Sequence, residues 1–258
     1  MIYILTAVHN DIEDTKKLLK SVYTQTLKNF EVFLVDDGST DGTSNFIKEK
    51  YSEVNLIKGD GNLWWTKSLN LGLKRILEKA SKNDFVWIIN NDCTFGKTLL
   101  SSVSSFAAKH KSFIIGSLVL DKKTKRIWDR GVKIDWSKLN FSMAGTDEQI
   151  DALSTKGTLY PVRVFKEIGL FDAKHFPHYF SDYEFSIRAG RAGYKLIVCP
   201  ASKVYNRIER TGTSKLSFSK KSTINPVLQL NLVLFVCPQR YRLKAFFLLI
   251  SKLFYGKR

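Results

Sequence analysis

The chain has 258 residues, 44% hydrophobic and 25% charged, a composition that excludes a disordered tail, a collagen-like repeat and a polytopic membrane protein. Its longest apolar stretches, residues 113–120, 227–236 and 245–250, fall well short of the ~20 residues that a membrane span requires. The formal net charge is +17, and residues 203–258 hold twelve basic side chains against one acid, Glu209; such a field attracts nucleic acid, an anionic lipid surface or phosphorylated substrates.

Ile2–Val8 is a β-rich apolar run without a basic leader before it, which predicts a cytosolic chain that opens on a strand. A helical pattern follows over residues 11–25, and residues 30–35 form the next strand. That strand ends abruptly in Asp36-Asp37-Gly38-Ser39-Thr40-Asp41-Gly42-Thr43, where Thr40 or Asp41 can cap a helix over 43–51. Residues 54–58 read as a short strand, 66–80 as a helix and 85–89 as a strand with the continuous apolar run of a buried parallel position. Successive βα units predict an α/β fold, a mainly parallel Rossmann-like sheet with helices on both faces. Ligands then sit at the carboxyl ends of the strands, where Asp36–Asp41 and Asn90-Asn91-Asp92 both fall. Beyond residue 112 the alternation gives way to a mixed region. Strands are predicted over 114–120 and 126–134, a helix over 180–192 ended by Gly193, and a strand over 195–199 stopped by Pro200. Two apolar, base-flanked segments, 224–236 and 241–255, close the chain. This gives one domain over 1–221, with a nucleotide-binding half at about 1–112 and an acceptor-binding half at about 113–221, and amphipathic helices over 222–258.

Three loops carry the candidate chemistry. In the Asp36–Thr43 loop, a carboxylate held by a glycine turn can accept the imide N–H of uracil or thymine, or can simply cap backbone N–H groups. An aspartate at the end of a buried strand, as in Asn90-Asn91-Asp92, can hold Mg²⁺ or Mn²⁺ through one carboxylate and phosphate oxygens. Gly59-Asp60-Gly61-Asn62-Leu63-Trp64-Trp65-Thr66 offers close backbone approach at its glycines, a helix N-terminus suited to phosphate, and a tryptophan face for stacking. Asp182 and Glu184 open a helix and, at ~100° per residue, point to nearly opposite sides; one placed against a pocket is a candidate general base. His9 ends the first strand at the ligand edge, while His110, His175 and His178 lack metal spacing and read as packing or surface residues. Cys93, Cys199 and Cys237 read as packing residues.

These stretches resemble the family 2 glycosyltransferases of GT-A fold. The resemblance runs from Thr6-Ala7-Val8-His9-Asn10 through the 35–43 block, Gly61-Asn62-Leu63-Trp64-Trp65, Asn70-Leu71-Gly72, Asn90-Asn91-Asp92, Gly157-Thr158-Leu159-Tyr160-Pro161, Gly169-Leu170-Phe171-Asp172 and the Asp182 region to Gly193-Tyr194. It implies inverting transfer of a sugar from a UDP- or dTDP-sugar to a glycan or lipid-linked acceptor. By matching position, Asp37 would take the base's N–H, Ala7 and His9 would line its pocket, and Trp64 would lie near the nucleotide. Gly61, Asn62 and Asn91 complete the expected nucleotide contacts. Asp92 would bind nucleotide and metal, Mg²⁺ or Mn²⁺, and Asp182 would be the catalytic base. The chain departs from the family where Ser181 precedes Asp182 in place of Glu, which makes Glu184 a reserve base. The DXD-like motif has a single carboxylate, and Asn206 stands where many relatives carry a histidine metal ligand.

In 241–255, apolar residues at three- and four-residue spacing with basic flanks fit a helix in a membrane interface, or a packed helix with a charged outer face. The former predicts peripheral attachment to the inner face of the plasma membrane. No zinc-finger, helix-turn-helix or RNP-like pattern accompanies the basic charge, so nucleic acid is not an expected partner. A sugar-phosphate nucleotidyltransferase would carry a glycine-rich phosphate loop and a basic residue after the first strand; residues 6–11 contain neither.

Overall fold

Strict alternation along β1 (Ile2–Val8), all seven residues of which are buried, sends Ile2, Ile4 and Val8 to one face of the sheet and Tyr3, Leu5 and Ala7 to the other. In the computed structural model, which describes residues 1–146, 148–207 and 226–254, each set meets its own layer of helices. The first packs against α1 (Ile12–Tyr23), α2 (Thr43–Lys50) and α4 (Leu99–Lys109); the second against α3 (Trp64–Lys79), α5 (Val162–Ile168) and α6 (Ser181–Arg191). The strands β2 (Phe30–Asp36), β3 (Asn55–Lys58) and β4 (Phe85–Ile88) complete a parallel block in the order β3-β2-β1-β4. The predicted βα half is therefore present, and its carboxyl ends carry Asp36 and the Asn90–Asp92 turn.

The second half is more mixed than the sequence suggests. Between β4 and β6 (Phe113–Asp121) lies β10 (Thr158–Pro161), antiparallel to both. No strand is predicted for the β10 residues, and no helix for those of α4 or α5. The expected strand over 126–134 is two: β7 (Ile127–Asp129) pairs with β6, and β8 (Val132–Asp135) forms a separate hairpin with β9 (Asn140–Met143). Gly131 is the joint, at φ +93, with its N–H held by Asp129 Oδ1. Pro200 does not stop its strand. β11 (Lys195–Asn206) runs on beside β6 through a register shift between Cys199 and Lys203, a bulge that accommodates the missing N–H. Short β5 (Thr94–Phe95) closes the edge against β11.

The C-terminal segments are α7 (Pro226–Asn231), a π-helical turn over Leu232–Val236 and α8 (Gln239–Phe254). The 221/222 boundary lies outside the described residues. Leu232, Val233, Val236, Ala245 and Leu249 are buried with Phe176, Phe180 and Tyr183 in a third core. The appendage thus has a packed face, directly behind the loop that leads into α6. Its outer face leaves Leu234, Phe235, Leu243 and Phe247 exposed. Among the described residues no helix is long and apolar enough to cross a membrane.

Candidate active site

The first strand and the Asp36–Thr43 loop are laced together by side chains at the sheet's carboxyl edge. Asp36, buried, accepts the Ser39 N–H and the Ser44 hydroxyl. Asn10 accepts the Thr40 N–H at 2.7 Å, and His9 Nδ1 lies 2.5 Å from the Asp37 carbonyl. Asp41 serves two helices, accepting Thr43 N–H at the start of α2 and Ile12 N–H at the start of α1; these bonds hold its carboxyl below the usual carboxylate range, with burial opposing them. The predicted capping role of Asp41 is thereby extended to a second helix.

Asp37 organises the second loop. Its Oδ1 accepts the Gly61 N–H at 2.8 Å, and its Oδ2 accepts the N–H groups of Leu63 and Trp64, both at 3.0 Å. The expected phosphate site at the start of α3 is therefore corrected: the anion at that helix N-terminus is Asp37 itself. Thr66, one turn on, gives its N–H to the Pro177 carbonyl and its hydroxyl to that of Phe176. The loop needs glycine where the two turns touch, since a Cβ on Gly38 (φ +70) would lie 2.8 Å from Gly61 Cα. Trp64 adopts φ +57 and is 62% exposed, edge-to-face with His178 at 5.7 Å. Trp65, half-buried, both packs on the core and lines the cleft.

These elements bound a chamber of about 380 Å³ whose walls include Ala7, His9, Asp37, Gly61, Trp64 and Asn91. Asn62 is not part of that wall; it is exposed, with its N–H on Asp60 Oδ1. A second chamber of about 340 Å³ holds Asp92 and Asp182, together with Trp128, Asp129 and Lys156. The two share Asp11, Trp65, Asn91 and His178. Carboxylates 55 and 90 residues apart in sequence, Asp37 to Asp92 and Asp92 to Asp182, thus open onto one continuous cleft.

Asp92 accepts the Asn206 amide at 2.7 Å, and burial raises its carboxyl pKa, with Lys156 and Asn206 opposing. Asn206 is fully buried, and its Oδ1 has no partner among the described residues. Asn206 turns its NH2 to Asp92 and lines neither chamber, so Asp92 is the one member of the pair that faces the cleft, and a single carboxylate suits a hard divalent cation that draws its other ligands from a diphosphate. Among the described residues no three His, Cys, Asp or Glu side chains gather into a metal cluster. The donor set therefore fits a shared cation and not a self-sufficient one.

Asp182 sits in the first turn of α6, entered through Phe180 at φ +66. Burial pushes its pKa up to about 6, against the nearby Lys156 charge and the Tyr183 and Thr155 backbone groups. Glu184 points away, as its spacing predicted. It is buried in a two-pronged bond with Arg188, 2.7 and 3.0 Å, and Arg188 also reaches the carbonyl of Leu170. Its reserve role as base is overturned: Glu184 holds α6 to the 168–170 segment and does not line the cleft. His178, expected as a packing or surface residue, does line it, and burial lowers its pKa. His175 does bond internally, to Asp172 at 2.7 Å. No local pattern signals Asp11, Trp128, Asp129, Lys156 or His178, because each reaches the cleft through a distant pairing of strands and loops.

Fold and cleft together define a glycosyltransferase of the GT-A type. The chain belongs to glycosyl transferase family 2, whose family model matches residues 3–169. Among curated proteins it is 23% identical over 239 residues to an N-acetylglucosaminyl-diphospho-decaprenol L-rhamnosyltransferase of Mycobacterium tuberculosis, covering 81% of this chain and 78% of that protein. Among solved structures it is similar to GalNAc-T7 with UDP, GalNAc and Mn²⁺ (TM-score 0.67, 16% identity, 80% of this chain), of which it spans only 43%. It is also similar to TarS of S. aureus in complex with UDP (TM-score 0.61, 17% identity, 93% of this chain and 68% of that one).

Proposed function

We propose that this glycosyltransferase moves a sugar from a UDP- or dTDP-sugar to a hydroxyl of a glycan or lipid-linked acceptor, with inversion at the anomeric carbon. The observation that carries the reading is the junction of the two chambers, with Asp37 on one side and Asp92 and Asp182 on the other. Asp37 Oδ1 has one internal bond where Oδ2 has two, so it retains an acceptor position for a base imide. The diphosphate then extends past Asn91 towards Asp92, and the anomeric carbon faces Asp182. An acceptor hydroxyl is a poor nucleophile, and Asp182 takes its proton as the new C–O bond forms. Asp92, oriented by the Asn206 amide, would hold Mg²⁺ or Mn²⁺, which would supply positive charge to the departing diphosphate. Binding of UDP and dTDP but not CDP, measured by calorimetry, tests the base reading. Cytosine lacks the imide N–H, so CDP is expected to bind at least tenfold more weakly, roughly the 1–3 kcal/mol of one such contact. Equal affinities would remove Asp37 from base selection. Asp92→Ala is expected to abolish the Mn²⁺-dependent gain in nucleotide affinity while sparing metal-free binding. An unchanged metal response would remove its role.

The acceptor is proposed to be lipid-linked and the protein to work peripherally at the inner face of the plasma membrane. Support comes from the decaprenol in the mycobacterial relative's name and from α8, whose Leu243 and Phe247 are 70% and 62% exposed beside exposed Arg240, Arg242 and Lys244. Basic residues near an anionic surface contribute ~1 kcal/mol each. Lys252, Lys257 and Arg258, which belong to the basic flanks of this segment in sequence, lie outside the residues whose side chains are described. The protein is expected to sediment with vesicles containing phosphatidylglycerol and not with pure phosphatidylcholine. Leu243→Gln with Phe247→Gln is expected to weaken that association about tenfold or more, on the scale of ~1.5–3 kcal/mol per buried side chain. Equal sedimentation of this variant would exclude the surface.

A further inference from the structure

The cleft poses a charge problem. The chain as a whole carries +17, yet its two chambers are lined by Asp11, Asp37, Asp92, Asp129 and Asp182. The amides that could have met a phosphate at the α3 N-terminus are already bonded to Asp37. Among the described residues, one lysine or arginine lines either chamber: Lys156. It is 8% exposed, and it makes no ion pair or hydrogen bond among the described residues. Its Nζ lies 5.5 Å from the centre of the Trp128 ring, on the wall of the same chamber. The Asp92 and Asp182 carboxylates act on its charge from a distance, yet a buried ammonium whose N–H groups make no hydrogen bond is costly unless an acceptor joins it.

The backbone around Lys156 is held firmly. Gly157, at φ +85, donates its N–H to the Ile88 carbonyl, and its own carbonyl accepts the Ser117 hydroxyl at 2.6 Å. A Cβ there would meet Val204 at 2.8 Å and Ser117 at 2.9 Å. On the other side, the Thr155 hydroxyl reaches Asn90 at 3.4 Å, within the segment that carries Asp92. Lys156 therefore projects from a turn pinned to β4 and β6, and its charge acts on both Asp92 and Asp182.

We infer that Lys156 is a diphosphate-binding residue, placed between Asp92 and Asp182 to contact the donor's phosphate oxygens and to neutralise the charge they gain as the sugar departs. The inference rests on the proposed nucleotide-sugar reading and adds a protein cation to a site with a single metal-holding carboxylate. A contact of this kind predicts a ten- to hundredfold effect on diphosphate affinity.

The test is calorimetric binding of UDP, dTDP, uridine, thymidine, inorganic pyrophosphate and a short prenyl diphosphate to the full chain, with Mn²⁺ and with EDTA. Lys156→Met, which keeps the stem against Trp128, is expected to weaken UDP or dTDP and pyrophosphate ten- to hundredfold in both conditions. Its affinity for the nucleosides and its Tm are expected to match or exceed those of the wild type, and Lys156→Arg should recover most of the loss. Lys156→Gln serves as the neutral variant if the methionine form does not fold. Undiminished diphosphate binding by the neutral variant overturns the inference, as does an equal loss of nucleoside and diphosphate, which would mark a structural role. A loss confined to a short prenyl diphosphate would give the residue to the acceptor and also overturn it. Should the wild type bind neither nucleotide, the donor reading fails, and the pyrophosphate arm still decides Lys156.

Discussion

Asp182→Asn is expected to lower the rate of sugar transfer about a thousandfold, within the ~10²–10⁴ range of a lost general base, while nucleotide affinity stays within about twofold on the same argument. The amide keeps the shape of the side chain and its place at the start of α6 but cannot accept the hydroxyl proton. The wild-type pH profile carries a matching signature. With the Asp182 carboxyl at about 6, transfer is expected to fall as pH drops through that value, because the protonated acid has no base to offer. Stability moves the other way. A carboxyl whose folded pKa lies above its unfolded value of ~3.9 favours the fold while it is protonated. That contribution is fully present below about pH 4 and is lost as pH rises through about 6. The asparagine variant, neutral throughout, is expected to lose the acid limb of residual turnover and to melt no lower than the wild type at pH 7.5. Retained turnover in this variant would remove Asp182 as the base, and Glu184, locked to Arg188, is no substitute.

Asp37→Ala is expected to be the most damaging change at the nucleotide end, on both stability and binding. It strips the partner from the N–H groups of Gly61, Leu63 and Trp64 at once. Hydrogen bonds to a charged acceptor contribute ~1.5–3 kcal/mol each, so even partial rescue by water leaves a destabilisation of about 3 kcal/mol. The Gly59–Trp64 turn would lose its anchor and Trp64 its left-handed backbone. Nucleotide affinity is expected to fall about a thousandfold, beyond the ~5- to 150-fold that one base contact of ~1–3 kcal/mol accounts for. Chemical denaturation and calorimetry on the same variant separate the two effects. An unchanged denaturation midpoint would show that the carboxylate does not hold the loop.

The parts of this site that the sequence revealed are those fixed by local pattern. Hydrophobic period and loop composition place β1, β2, β4, α1 and α3, and therefore put Asp37 and Asp92 at one sheet edge. Asp182 and Glu184 separate correctly on helix geometry alone. What escaped depends on distant pairings. Lys156 lines the chamber because β10 runs antiparallel between β4 and β6, and its turn joins the Asp92 wall only in that arrangement. His178 reaches both chambers because Thr66 holds the carbonyls of Phe176 and Pro177. The helix N-terminus at Trp64 looked open to phosphate because its occupant, Asp37, comes from another loop. Pro200 looked like a strand end because a bulge beside β6 cannot be read from one strand's residues. The pattern of the amphipathic tail fits both packing and membrane contact; its packed face on Phe176, Phe180 and Tyr183 supplies the first, while its exposed Leu243 and Phe247 are the basis for proposing the second.

The most direct test of the two-chamber account is a crystal structure of the protein with UDP or dTDP and Mn²⁺. The account predicts the base edge against Asp37 near Trp64, and the diphosphate between Asn91 and Asp92 within reach of Lys156. It also predicts an open approach from the β-phosphate to Asp182. A nucleotide bound elsewhere, or a diphosphate directed away from the space between Asp92 and Asp182, would contradict it.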